Sequence, residues 1–253
     1  MKKEIKTGKV KILTLNIPKM TEQTAKKKIA YILKNKKCAK IYTPNPQMAL
    51  GCAKSPYLAR LFDRSDLLLP DGIGLVIASR ILKDPLKERI TGIESAEFIL
   101  SYAEKKNLSV ALLGARPRVA ERAAKMLKKK FPSLRVCFAH HGYFQKSGIE
   151  NELVLKKINS ASPDILFVCF GFPTQEIWID KNADRITSLR LCMGLGGAFD
   201  VWSGDTLRAP KIIRDMRFEW LWRTLKDKKR LHNFFDIRDF LFLIFLQRNK
   251  KKY

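Results

Sequence analysis

The chain has 253 residues, 46% of them hydrophobic, enough to bury a sizeable core and too apolar for wholesale disorder. Fifty Lys/Arg stand against 24 Asp/Glu, and a formal charge of +26 calls for an anionic partner or surface. The excess is uneven: residues 1–40 carry 13 basic and 2 acidic side chains and residues 208–253 carry 14 and 5, so both ends are strongly basic.

The opening MKKEIKTGKVKILTLNI lacks the continuous apolar core of a signal peptide, and its KVKILTLNI reads as one strand. TEQTAKKKIAYILKNKK follows with Thr21 as a helix cap and apolar residues at helical spacing. AKIYTPN is a strand ending in a turn, PQMALGCAKSPYLARLFDRS a helical stretch, and DLLL a buried strand that runs into PDG. GLVIASRIL is the next helix; a linker containing ITGIE leads to another, through about Lys106. The second half is more regular. LSVALLGA, LRVCFAHHGYF, PDILFVCFGF and LRLCMGLGGAF are apolar strands, separated by the helical VAERAAKMLKKKF, ELVLKKINSAS and TQEIWIDKNADRI. Strands alternating with helices predict parallel βαβ units, hence an α/β, Rossmann-like, mostly parallel sheet with helices on both faces. Such sheets bind ligands outside the carboxyl ends of their strands. YTPN, PDG, ALLGA, HHGYF, FGFPTQE and GLGGAFD all fall there and are expected to converge on one crevice.

From Arg208 the texture changes, so residues 1–207 are expected to form the α/β domain and 208–253 a basic, aromatic helical appendage. Phe218, Leu221, Trp222 and Leu225 share one helical face, with Arg214, Arg217, Arg223 and Lys226 around it. That pattern suits a membrane interface; the plainer reading is a terminal helix docked on the sheet domain or on another subunit. No run approaches the about 18 apolar residues of a spanning helix; FLFLIFL at 240–246 has seven. The five cysteines form no CxxC pair, and Cys137, Cys169 and Cys192 are expected to be buried, reduced thiols of a reducing compartment.

No metal-ligand spacing is present, so neither a metal nor another cofactor is expected; the adjacent His140 and His141 have no ligand array nearby. GLGGAF is not GxGxxG, and neither a P-loop nor GxSxG occurs. Nucleic-acid binding has the charge in its favour but no motif. What remains is a glycine-shaped pocket with a few carboxylates. Asp71 either caps the following helix or fixes the turn, or acts as a general base, taking a proton from a hydroxyl whose oxygen attacks an electrophilic carbon. Thr43 and Asn45 either bind sugar hydroxyls or organise the YTPNP turn. Gln175 and Glu176 either bind a ribose or sugar or sit favourably in a first helical turn, and Asp200 faces the same choice. Gly72, Gly114, Gly194, Gly196 and Gly197 either bring backbone amides to a ligand or permit tight turns. Arg208, Arg214, Arg217, Arg223 and Arg230 are candidate phosphate clamps, of which a minority are expected to matter.

Taken in order, TPNPQMAL, LLLPDGIGLVIASRIL, ERITGIE, LLGARPRVAERAA, HHGYF, FGFPTQEIWI, GLGGAFDVWSG and RAP with FEWLWR resemble the WecG/TagA/CpsF glycosyltransferase family, over about residues 10–232. The resemblance implies an inverting enzyme that passes a sugar from a UDP-sugar to a polyprenyl-diphosphate-linked sugar, at the cytoplasmic face of the membrane and on its anionic inner leaflet. It implies catalytic roles for Asp71, as base, and Thr43, and substrate contacts by Gln175, Glu176, Arg208, Arg217 and Arg223. N-acetylmannosamine transferred to undecaprenyl-diphosphate N-acetylglucosamine, for teichoic acid or a surface polysaccharide, is the expected reaction. UDP-glucose, UDP-galactose or a UDP-uronic acid is the rival donor. A nucleic-acid-binding protein and an inert membrane scaffold are the rivals of other classes. The chain departs from the family at PTQE, where Thr174 replaces a lysine, and at TGIE, Thr91 to Glu94. The apolar tail is compatible with a homo-oligomer.

Overall fold

The computed structural model describes residues 7–35, 38–207, 210 and 232–250, the final helix with side chains from 236 to 249. KVKILTLNI is a hairpin and not one strand: β1 (Lys9–Ile12) pairs antiparallel with β2 (Leu15–Pro18), the chain reversing where Leu13 adopts φ +53°. α1 (Glu22–Lys34) follows, its first turn capped by Thr21, whose hydroxyl accepts from the Thr24 amide at 3.2 Å.

β3 (Ala39–Tyr42) opens the main sheet. The stretch after it is two helices, α2 (Pro46–Lys54) and α3 (Pro56–Asp63), because Ser55 ends one and caps the next ahead of Pro56. β4 (Leu67–Leu68) and α4 (Ile73–Ile81) complete this unit. ITGIE is not a linker; it starts α5 (Gly92–Lys106), with Thr91 as the cap accepting from Glu94 N. The remaining elements alternate as expected: β5 (Ser109–Gly114), α6 (Val119–Lys130), β6 (Arg135–His140), α7 (Gly148–Ala161), β7 (Ile165–Cys169), α8 (Thr174–Asn182), β8 (Leu191–Gly194) and α9 (Ala198–Trp202). The last described helix is α10 (His232–Lys250).

Six strands lie in the order β4-β3-β8-β7-β5-β6, every neighbouring pair parallel. All carboxyl ends therefore point the same way, which places the loops that bear chemistry along one edge. Alternate residues of the central strands serve two separate cores. Ala111, Leu113, Leu166 and Val168 pack with the hairpin, α2–α4, α7, α8 and α10. Val110, Leu112, Ile165 and Phe167 pack with α1, α5, α6 and α9. Cys169 and Cys192 are buried in these layers, but Cys137 is exposed: β6 is an edge strand and lacks a neighbour on its outer side.

α10 is docked on the α/β domain. Phe240 and Ile244, 1% and 0% exposed, join the core beside α2 and α4. Gln247 ties the helix to the hairpin, accepting from Leu13 N and donating to Lys11 O, both at 2.9 Å. The opposite side carries exposed Phe242, Phe245 and Leu246. Among the described residues no helix is long and apolar enough to cross a membrane.

Candidate active site

The strand ends form two neighbouring clefts rather than one crevice. The first, about 330 Å³, lies beyond β3 and β4 and is lined by Thr43, Asn45, Asp71, Arg89 and Gly92, with Ile237, Phe240 and Leu241 of α10 as one wall. The second, about 440 Å³, lies beyond β5 to β8, among Arg116, Tyr143, Lys146, Gly171, Thr174, Gly196, Gly197 and Asp200. The β8–α9 loop separates them: Leu195 and Ala198 face the first, Gly196 and Gly197 the second.

Three loops are stitched together around the first cleft. Asp71 N donates to Pro44 O at 2.9 Å, and Ile90 N to Pro70 O at 2.9 Å. Two glycines allow this closeness. Gly72 has φ +113°, and a side chain on Gly74 would start 2.5 Å from Pro46 Cγ. Asp71 does not cap α4, which starts at Gly72 without a side-chain cap. Its Oδ2 instead accepts from Gly92 N at 3.0 Å, and its Oδ1 lies 3.5 Å from Arg89 Nη2. The Asp71 side chain is 30% exposed and lines the cleft. Thr43 is 8% exposed beside it; a Cβ built on Gly92 would lie 3.3 Å from Thr43 Oγ1 and 3.5 Å from Asp71 Oδ2. Asn45 caps α2, its Oδ1 accepting from Met48 N at 2.9 Å, while also lining the cleft.

In the second cleft the glycine loops are held from behind. Gln175 Oε1 accepts from Gly171 N at 3.3 Å and Gly196 N at 3.0 Å, and its Nε2 donates to Glu176 Oε1 at 2.8 Å. Gln175 and Glu176 are each 1% exposed and line neither cleft. Burial pushes the Glu176 carboxyl up to about 7, against the opposing hydrogen bond from Gln175; its Oε2 has no hydrogen-bond partner among the described residues. Gly171 and Gly196 have φ +81° and +55°, a left-handed backbone that favours glycine, with nothing within 4 Å of a would-be Cβ. Gly114 does not line it. At φ +139° its would-be Cβ would strike the Cys169 carbonyl at 2.4 Å, so this glycine serves the close approach of β5 to β7.

Asp200 sits at the rim, 3.6 Å from Arg116, which also pairs with Asp205. Arg208, Arg217 and Arg223 lie outside the described residues. Among the described residues no group of three or more His, Cys, Asp or Glu side chains is placed to hold a metal ion. Arg89, Lys146 and the α10 wall were not singled out from sequence, and Gly92 only as part of the TGIE departure. Arg89 and Gly92 sit within ERITGIE, next to the motifs that were, while nothing local links α10 to a strand end 190 residues earlier; the Gln47–Asp236 hydrogen bond spans 189.

A parallel α/β sheet with a carboxylate and a glycine-lined cleft at its strand ends defines a Rossmann-like enzyme scaffold with room for two ligands. The chain belongs to the family described as "Glycosyl transferase WecG/TagA/CpsF family", whose sequence model matches residues 10–253, and it is accordingly a glycosyltransferase. It is similar to N-acetylglucosaminyldiphosphoundecaprenol N-acetyl-beta-D-mannosaminyltransferase of Staphylococcus aureus strain MRSA252, with 34% identity over 249 residues, covering 97% of this chain and 96% of the relative. The enzymes of the same name from strains MW2 and NCTC 8325 match with the same identity and coverage.

Proposed function

We propose that the protein transfers N-acetylmannosamine, with inversion, from UDP-N-acetylmannosamine to N-acetylglucosamine carried on undecaprenyl diphosphate. The observation that carries this reading is the pair of clefts on either side of the β8–α9 loop, one holding Asp71 and the other lined by glycine-rich strand-end loops. The nucleotide occupies the second cleft and the acceptor the first. The acceptor hydroxyl gives its proton to Asp71 as its oxygen bonds to the anomeric carbon, and the bond to the UDP oxygen breaks with its electron pair leaving on UDP. Thr43 and Asn45 orient sugar hydroxyls. Gly72 and the Gln175–Glu176 pair hold the loops, and Arg208, Arg217 and Arg223 steady the diphosphates. No divalent ion takes part.

The first cleft has an apolar mouth. Ile77 lines it at 43% exposure, and α10 presents Phe242, Phe245 and Leu246 outward. These support an acceptor with a lipid tail and an enzyme resting on the cytoplasmic face of the membrane, where basic terminal segments meet anionic lipid. The names of the relatives supply the sugar pair.

The test is transfer from a panel of labelled UDP-sugars to a short-chain polyprenyl-diphosphate N-acetylglucosamine, with and without EDTA. Product from UDP-N-acetylmannosamine, unchanged by EDTA, is the expected result. Product from UDP-glucose, UDP-galactose or a UDP-uronic acid alone would reassign the donor, and loss of product in EDTA would overturn the metal-free step.

A further inference from the structure

Lys146 is held in the second cleft by groups that fix its position without neutralising it. Its ammonium donates to the carbonyl oxygens of Gly142 and of Phe144, the latter at 2.7 Å. The same nitrogen stands 3.9 Å from the centroid of Phe144 and 4.4 Å from that of Phe170. An ammonium has three N–H donors, so one remains after the two carbonyls. No carboxylate among the described residues forms an ion pair with it; Glu150 acts on it only through space. Burial pulls its pKa below the ordinary lysine value, and the through-space attraction of Glu150 only partly offsets this.

The other charges of the cleft are already matched. Arg116 pairs with Asp200 and Asp205, and Asp205 also with Arg122. That leaves Lys146 as the cation without a carboxylate partner among the described residues lining this cleft, facing Thr174 at the start of α8 and the Gly196–Gly197 backbone. A ligand completing this set is a compact anion carrying several acceptor oxygens. A diphosphate fits: it takes the spare ammonium N–H, the Thr174 hydroxyl and loop amides together.

We propose that Lys146 is a further residue, beside the arginines assigned above, that binds the diphosphate of the sugar donor. The assignment rests on the reading of the second cleft as the nucleotide site. Both substrates of the proposed reaction contain a diphosphate; the glycine loops and the exposed Tyr143 ring at the rim suit a nucleotide, whereas the apolar mouth suited to a lipid tail belongs to the first cleft.

The experiment is calorimetric titration of the full-length protein with UDP and with uridine, for wild type, Lys146→Met and Thr174→Lys, alongside acceptor KM values. Wild type should bind UDP more tightly than uridine. Lys146→Met should weaken UDP by about tenfold or more, the range of a lost charge-assisted hydrogen bond, and leave uridine unchanged. Thr174→Lys, which exchanges one hydroxyl for a further cation beside Lys146, should tighten UDP, a gain that misfolding cannot produce. UDP affinity unchanged in Lys146→Met, or UDP and uridine weakened equally, would overturn the assignment while leaving the nucleotide site in place. A loss confined to the lipid-linked acceptor's KM would move Lys146 to the other diphosphate and overturn it as well. A wild-type protein that binds no UDP would remove the nucleotide reading itself, and the Lys146 assignment with it.

Discussion

The Gly92 amide donates to Asp71 Oδ2 at 3.0 Å, so the carboxylate in the first cleft is held by the first turn of a helix that begins 21 residues further along. A carboxylate fixed in this way keeps one orientation, and proton abstraction from a bound hydroxyl requires such fixed geometry.

Replacing Asp71 by Asn keeps the shape and an acceptor oxygen for Gly92 N, but removes the base. Turnover is expected to fall by about 10²–10⁴-fold, with UDP affinity and melting temperature close to wild type. Steady-state kinetics beside calorimetry checks this, and full activity in the variant would end the base assignment.

Gly92→Ala places a methyl group 3.2 Å from Thr43 Cγ2 and 3.5 Å from Asp71 Oδ2. Alanine is the better helix former by about 1 kcal/mol, so stability should hold or rise. The site geometry should suffer, because Thr43, with Cγ2 and Oγ1 at 3.2 and 3.3 Å, must give way by a few tenths of an ångström beside Asp71. The expected outcome is a lower kcat without a lower Tm; a lower Tm with normal kcat would contradict it.

Glu176 titrates at about 7 in the folded protein, above its usual carboxyl value, because it is buried. Between the two values the folded state keeps a proton that the unfolded chain has released. Stability therefore falls as pH rises from about 4.5 to about 7 and is flat above, a loss on the order of 3 kcal/mol. Glu176→Gln, which cannot ionise, should flatten that slope and be the more stable protein at pH 8. Urea denaturation at pH 5, 6, 7 and 8 reads the difference directly, and parallel curves for the two proteins would refute the buried ionisation.

Phe240 combines two duties, as a core side chain at 1% exposure and as a wall of the first cleft. Phe240→Ala should cost about 3–5 kcal/mol of unfolding free energy and raise acceptor KM more than donor KM. Chemical denaturation and two-substrate kinetics provide the measurement; a change in donor KM alone would misplace the acceptor.

Phe242 and Phe245 point away from that core, at 62% and 50% exposure. The double substitution Phe242→Glu with Phe245→Glu should reduce sedimentation with anionic liposomes and leave Tm unchanged, as well as turnover on a soluble short-chain acceptor. Unaltered liposome binding would assign membrane contact to other residues. Truncation after residue 207 is the blunter probe, since it also removes Phe240 and Ile244 from the core.

The βαβ half of the chain was legible because the cores of β5 and β7 are continuous apolar runs, each leading through a glycine to a helix, the mark of strands buried on both faces. The first half was less so. Nothing in KVKILTLNI marks Leu13 as the reversal point, since its left-handed backbone carries no glycine or asparagine. Asp71, Thr43 and Asn45 were placed correctly at strand ends because turn chemistry is local. The inward side chains of Gln175 and Glu176 were not foreseeable, since a polar pair at a helix start reads as solvent-facing unless the loop it supports is known. Cys137 misled for a related reason: an apolar strand does not announce whether it has one neighbour or two.

The clasp between Gln247 and the hairpin also bears on how the molecule is made. β1 and β2 leave the ribosome early, yet the partner that occupies Lys11 O and Leu13 N arrives more than 230 residues later. The wall of the first cleft at Phe240 and Leu241 is synthesised just ahead of it. Until then a nascent chain has its carboxylate and its glycine loops but lacks one wall of the first cleft. Closure of that cleft thus waits on residues made long after the motifs it encloses, and a product terminated before Phe240 would carry the strand-end motifs without that wall.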